Sequence, residues 1–145
     1  MQILLVEDNP ADAFLTQEAL SQEKIPDSDL SVVIDGQEAL SFLRQEGKYA
    51  GVRRPDLILL DLNLPKKDGR AVLAEIKEDP VLKHIPVVVF TSSTAPRDIL
   101  QAYAHYANCY IIKPIDVDNF FRVIRSLVSF WAVTAPLPSR IFSRF

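Results

Sequence analysis

The chain contains one cysteine, Cys109, and only two histidines. A lone cysteine can neither close an internal disulfide nor assemble a thiolate metal site, and its place in an apolar run marks it as a buried structural thiol. No excess of basic residues is present either. Sixteen Lys and Arg against nineteen Asp and Glu leave a net charge of −3, and the basic residues are scattered, so the electrostatic footprint of a nucleic-acid binder is missing. No apolar stretch is long enough to span a bilayer, and the amino-terminal MQILLVEDNP carries no basic segment or cleavage site, so a cytoplasmic protein without membrane contact is expected. Internal repeats, low-complexity segments and any second-domain boundary before about residue 132 are also lacking. What remains is 145 residues, 48% of them hydrophobic, which suffices for one sizeable core and not for two ordinary domains.

Five short apolar runs alternate with helix-like stretches: ILLVE at 3–7, LSVVID at 30–35, DLILLD at 56–61, PVVVFT at 86–91 and CYIIK at 109–113. Near-continuous apolar character without clean alternation is what a parallel strand covered on both faces requires. The helices between them have legible starts. Asn9-Pro10 supplies a cap and a first-turn proline, Asp35 with Glu38 a capping box, Asp68 a third start, Thr94 with Pro96 a fourth and Asp116 a fifth. Asp79-Pro80 ends the third helix, because the residue before proline is pushed out of the α region. The segment 24–29 links into the second strand, and 47–55 is a longer loop into the third. This order predicts an α/β fold, a doubly wound (βα)5 parallel five-stranded sheet with right-handed crossovers.

In such sheets the functional crevice lies at the carboxyl ends of the strands. Glu7 and Asp8 end the first strand, Asp61 the third, Thr91 the fourth, and Lys113-Pro114 the fifth. If strands one and three are neighbours, three carboxylates converge. Two charges roughly 5 Å apart repel by about 3 kcal/mol at an effective dielectric of about 20, so the cluster calls for a cation. Oxygen ligands without His or Cys favour a hard ion, and an incomplete protein cage favours Mg²⁺ over Ca²⁺. Asn63 lies on the loop passing this position, where its backbone carbonyl can complete the shell. A lysine, a hydroxyl and a divalent ion around one carboxylate suit phosphoryl transfer, with Asp61 as the nucleophile that forms an acyl phosphate.

Glu7 and Asp8 in LLVEDNP, Asp61 in LLDLNLPKKDG, Thr91 in VVVFTSS, and Tyr110 with Lys113-Pro114 in CYIIKP together resemble a response-regulator receiver domain, over residues 1 to about 131. The resemblance implies the flavodoxin-like strand order 2-1-3-4-5. It implies that Asp61 accepts phosphate from a histidine kinase in a two-component phosphorelay, and that Glu7, Asp8, Asp61 and the Asn63 carbonyl hold Mg²⁺. It further implies that Lys113 contacts the phosphate, that Thr91 swings toward it, and that Tyr110 turns inward as a switch, altering the surface of helix 4, strand 5 and helix 5. The Lys113–Pro114 bond is usually cis in such domains. A receiver is a phosphoacceptor that assists its own phosphorylation and dephosphorylation, not an enzyme acting on a separate substrate. One departure is Tyr106 in HYANCY, where receivers commonly have glycine. Tyrosine does not take positive φ cheaply, so either the end of helix 4 is reshaped or Asn108 absorbs the left-handed position.

In the last helix, VDNFFRVIRSLVSFW, residues Val117, Phe120, Phe121, Ile124, Leu127, Val128 and Trp131 form one wide stripe for burial against the sheet. Val123 and Phe130 lie beyond it, which suggests a homodimer contact through helix 5 and the tail. Residues 132–145 read as a tail without an effector domain, its PLP segment extended across a dimer or back onto helix 5 and SRIFSRF a disordered or tag-like end. LNLPKKDG, NCYIIKP and SFW followed by LP resemble the single-domain response regulators partnered with cyanobacterial phytochromes, implying a light-regulated histidine kinase as donor. His84 and His105 are read as ordinary surface residues.

Three other classes fit less well. A haloacid-dehalogenase-type phosphohydrolase requires a second Asp two residues after its nucleophile, where Asn63 stands, and places its metal acids downstream rather than at Glu7-Asp8. A flavodoxin-like cofactor carrier needs a phosphate-cradling loop where EDNPAD places acids. A scaffold that never accepts phosphate differs only in its chemistry.

Overall fold

The computed structural model describes residues 1–26 and 29–139. Five strands, β1 (Ile3–Val6), β2 (Leu30–Val33), β3 (Leu57–Leu60), β4 (Val87–Thr91) and β5 (Cys109–Ile112), alternate with helices α1 (Pro10–Gln22), α2 (Gly36–Leu43), α3 (Gly69–Glu78), α4 (Pro96–Ala104) and α5 (Val117–Val128). The strands form one sheet in the order β2-β1-β3-β4-β5, with every pairing parallel. The five apolar runs and their crossovers therefore correspond to the fold expected from the sequence.

Both faces of the central strands are covered, which explains the absence of polar alternation. Leu4, Val6, Ile58, Leu60, Val87 and Val89 face Leu40, Leu43, Leu73, Ile76 and Ala102, contributed by α2, α3 and α4. Their neighbours Ile3, Leu5, Leu57, Leu59, Val88 and Phe90 face Ala19 and Leu20 of α1 and Phe120, Ile124 and Leu127 of α5. Side-chain alternation along a strand thus divides one apolar run between two cores. Cys109 lies on edge strand β5 and is half-buried rather than fully enclosed. Among the described residues, no helix is long and apolar enough to cross a membrane.

The helix starts differ in detail from the sequence reading. Asn9, Asp68 and Asp116 each accept a backbone N–H of the following turn. Asp35 likewise accepts the Glu38 N–H at 2.7 Å, but the Glu38 carboxylate turns to the Tyr49 hydroxyl and Lys48 instead of closing a reciprocal box. The fourth helix is capped at Ala95, without a side-chain bond, and not at Thr94. Pro96 at the first helical position sets this boundary, since its fixed φ is already helical.

At the other end of α4, Tyr106 itself takes the left-handed conformation, with φ 67°. The Ala107 N–H reaches back to the Ala102 carbonyl at 3.0 Å, the bond that closes a helix across a left-handed residue. Asn108 does not take over that position. Its Oδ1 accepts the Val87 N–H at 2.9 Å and the Lys77 ammonium at 3.1 Å, tying this turn to the start of β4. The Lys113–Pro114 bond is trans, as is every peptide bond among the described residues. The trans form is the lower-energy isomer by about 0.5–1 kcal/mol, and it already brings the Lys113 ammonium to Asp61 at 2.9 Å.

Helix α5 buries Phe120, Ile124, Leu127 and Val128, while Val117, at the helix start, is exposed. It continues into a wider π-helical turn, Ser129–Thr134, in which Trp131 is partly buried against the core and Phe130 is half exposed. The following segment folds back on its own chain. Leu137 is fully buried, and the Ser139 hydroxyl donates to the buried Asp56 carboxylate at 2.5 Å, which also accepts the Gln2 N–H at 2.7 Å. The packed unit therefore continues past residue 131 to the amino ends of the strands. Residues 140–145, most of SRIFSRF, lie outside the described residues, as do 27 and 28 in the link into β2.

Gly69, the first residue of α3, sits where no side chain fits. Its N–H donates to the Leu62 carbonyl at 2.8 Å, and a Cβ there would stand 2.1 Å from the Asp61 carbonyl oxygen. Gly69→Ala is expected to destabilise the fold by about 1–3 kcal/mol, because the Asp61 backbone has to shift. Leu137→Ala, which removes a buried side chain of the returning tail, is expected to cost about 2–4 kcal/mol. Urea unfolding of both variants, with unchanged midpoints as the contrary result, checks these expectations.

Candidate functional site

The ladder hydrogen bonds run one residue past β1, β3 and β5 at their carboxyl ends. The Glu7 N–H donates to the Val33 carbonyl at 3.0 Å, the Asp61 N–H to Val6 at 3.1 Å and the Lys113 N–H to Thr91 at 2.8 Å. Each of these side chains therefore leaves from backbone already held in the sheet. Because β1 and β3 are adjacent, Glu7, Asp8 and Asp61 come together with ligand oxygens all within 4.8 Å of one another. Glu7 and Asp61 are buried and Asp8 is exposed.

Lys113 enters this group from β5. Its ammonium donates to Glu7 at 2.8 Å, to Asp12 at 2.9 Å and to Asp61 at 2.9 Å. The Thr91 hydroxyl donates to the other Asp61 oxygen at 2.8 Å, which also receives the Asn63 N–H at 3.3 Å. Asp61 is thus surrounded by an ammonium, a hydroxyl and a backbone donor.

The charges of this group are coupled. Burial, together with hydrogen bonding to Asp61, pushes the Glu7 carboxyl up to about 8 despite the nearby Lys113. Burial acts the same way on Asp61, but the hydrogen bonds from Glu7, Lys113 and Thr91 outweigh it and hold Asp61 below the ordinary carboxylate range. Burial alone would lower Lys113, yet its three carboxylate partners raise it further above neutrality. Glu7 therefore keeps a proton that Asp61 gives up. The arrangement offers an ionised, partly desolvated carboxylate as a nucleophile and an all-oxygen donor set matching a hard divalent cation.

A second polar group borders the site between α3 and α4. The Arg70 guanidinium donates to both oxygens of Asp98 at 2.9 and 2.8 Å and to Asp68, the cap of α3, at 3.1 and 3.0 Å. The hydrogen bonds of Arg70 and Ser93 hold the Asp98 carboxyl at about 2. Tyr110 points inward, its hydroxyl donating to the Ser93 carbonyl at 2.9 Å.

Glu7, Asp8, Asp61, Thr91 and Lys113, anticipated from the strand ends, thus come together in one cluster, and the Asn63 backbone lies beside Asp61. Asp12, Ser93, Arg70 and Asp98 were not anticipated. For Asp12 a signal existed in EDNPAD, since an acid in the first turn of α1 lies beside the strand end it follows. His105 forms a ring-nitrogen bond with the Gln101 carbonyl at 2.9 Å, one helical turn away and apart from the acidic cluster.

The family of response regulator receiver domains is matched over residues 3–125. The chain is 50% identical over 137 residues to response regulator Rcp1 of Synechocystis sp., covering 94% of this chain and 92% of that protein. It is 41% identical over 130 residues to the probable methanogenesis regulatory protein FilR2 of Methanothrix harundinacea, covering 89% and 82%. The crystal structure of the phosphorylated cyanobacterial phytochrome response regulator RcpA superposes with a TM-score of 0.89 at 52% identity, covering 94% of this chain and 97% of that one. The Mn²⁺-bound form of Rcp1 superposes with a TM-score of 0.88 at 49% identity, over the same shares. The sheet order, the acids and lysine at its carboxyl end and these similarities together establish that the chain belongs to the response regulator receiver domain family of two-component signalling.

Proposed function

We propose that Asp61 is the phosphoacceptor of this response regulator and takes its phosphoryl group from a sensor histidine kinase. The observation that carries this reading is the convergence of Lys113 and Thr91 on the two oxygens of a buried, ionised Asp61. In the transfer, an Asp61 oxygen forms a bond to phosphorus as the bond to the donor imidazole breaks. Lys113 meets the charge on the phosphoryl oxygens, and Thr91 donates its hydroxyl to one of them. Glu7, Asp8, Asp61 and the Asn63 carbonyl would hold Mg²⁺, a choice supported by the all-carboxylate cluster and by the Mn²⁺-bound form of the similar Rcp1. The ion supplies charge neutralisation at the transferring group.

The expected outcome in the presence of Mg²⁺ and acetyl phosphate is one hydroxylamine-labile phosphate per chain, abolished in Asp61→Asn. Phosphoprotein mass measurement checks it, and labelling of Asp61→Asn at the wild-type level would overturn the assignment.

The kinase is read as a cyanobacterial phytochrome, supported by the similarity to RcpA, a cyanobacterial phytochrome response regulator. Such a partnership places the protein in the cytoplasm, where ATP-dependent kinases act. We further read residues 1–131 as the receiver and the residues from 132 as a tail, with output through the surface of α4, β5 and α5. No direct role with nucleic acid or membrane is assigned.

A homodimer through α5 and the tail is supported by an apolar groove lined by Ile111, Val123, Leu127, Phe130 and Trp131. Phe130 stands edge-on to Trp131 with ring centroids 5.0 Å apart, so half of a large aromatic ring remains available for a second copy. Phe130→Asp is expected to shift the protein toward monomer in analytical ultracentrifugation. A wild type that is already monomeric at tens of micromolar, about the range where a standard interface holds, would refute the dimer.

A further inference from the structure

We propose that Arg70 and Asp98 are positioning residues for the chemistry at Asp61, a clamp that holds Ser93 and thereby keeps Tyr110 turned inward and Thr91 aimed at the acceptor. This rests on the reading of Asp61 as the phosphoacceptor.

The connections form an unbroken arc around the site. The loop after β3 is held by the Gly69 N–H on the Leu62 carbonyl, and Asp68 in that loop both caps α3 and holds the Arg70 guanidinium. Arg70 grips both Asp98 oxygens with its planar fork, a geometry that lysine cannot reproduce. Asp98 Oδ2 also accepts the Ser93 hydroxyl at 2.6 Å. Ser93 then accepts the Tyr110 hydroxyl on its carbonyl at 2.9 Å. Thr91 lies two residues before Ser93 and donates to Asp61.

Each of these bonds joins two protein groups, so the inward arrangement of Tyr110 has a source of stability independent of any phosphoryl oxygen. The local chemistry favours this clamp. Asp98 is buried in the first turn of α4, where the helix dipole stabilises a negative charge. Ala95, the cap residue, offers no side-chain acceptor, and its N–H contacts the Ser93 hydroxyl at 3.3 Å instead. Anchoring of this end of α4 thus passes to Ser93 and Asp98. Removing the clamp frees the loop between β4 and α4 while leaving the acidic cluster and Lys113 untouched, so phosphoryl binding should suffer and metal binding should not.

The test uses the full chain with its four tyrosines replaced by 3-fluorotyrosine, with Tyr110→Phe assigning the fluorine resonance of Tyr110. In wild type that resonance should be distinct from those of exposed tyrosines. In Asp98→Ala, and in Arg70→Gln at a one-third exposed side chain, it should move toward the exposed position. Affinity for beryllofluoride in Mg²⁺ should fall by about fivefold or more, with Mg²⁺ affinity within about twofold of wild type. Arg70→Gln decides the matter if Asp98→Ala does not fold. A wild-type Tyr110 resonance in the folded variants overturns the proposal. Failure of the wild type to bind beryllofluoride would strike the acceptor reading and leave the clamp to be decided by the Tyr110 resonance.

Discussion

Four elements meet at one ammonium group. Lys113 leaves β5 and places its Nζ among Glu7 from the end of β1, Asp12 from α1 and Asp61 from the end of β3. Carboxylates brought together at the mouth of a parallel sheet repel one another, and burial removes the water that would screen them. Lys113 offsets part of that cost. One cation does not balance the whole group, and Glu7 responds by retaining its proton to about 8 while Asp61 stays ionised. The same imbalance that has to be tolerated by the fold leaves the cluster suited to a divalent ion.

The sheet makes this concentration of charge possible. Parallel strands all present their carboxyl ends on one side, so residues one step beyond β1, β3 and β5 are neighbours although they lie far apart in the chain. The two apolar cores beneath keep the strands in register, and the extra ladder bonds at Glu7, Asp61 and Lys113 carry that order into the site. Gly69 adds a tight contact, since its missing Cβ lets α3 begin directly against the Asp61 backbone. Stability and chemistry are therefore connected through backbone position.

Much of this was readable from the residues. Short runs such as LILL, bounded by turn-forming residues, fit strands buried on both faces, and Asn9-Pro10, Asp68 and Asp116 mark helix starts through local hydrogen bonding. Acids at 7, 8 and 61 with Lys113 at strand ends pointed to a shared site once the parallel order was accepted. Less was readable where competing local options were close in energy. Ala95 rather than Thr94 caps α4, Tyr106 itself accepts the left-handed φ, and the Lys113–Pro114 bond is trans. In each case the competing options differ by only about 1 kcal/mol, so a neighbouring proline, a single closing hydrogen bond or the isomer preference of one peptide bond settles the outcome.

By itself, the sequence determined the five strands, their helices and the residue types gathered at the strand ends, because hydrophobic periodicity and capping act over a few neighbouring positions. The tertiary structure alone decided that Asp12 joins Glu7 and Asp61 on Lys113, across separations of 52 to 106 residues, that Arg70 closes on Asp98 and that Leu137 returns to the core. Apart from the acid in the first turn of α1, these contacts have no local signature. They arise only when the sheet brings distant segments to within hydrogen-bond distance and burial makes each unpaired charge or polar group costly.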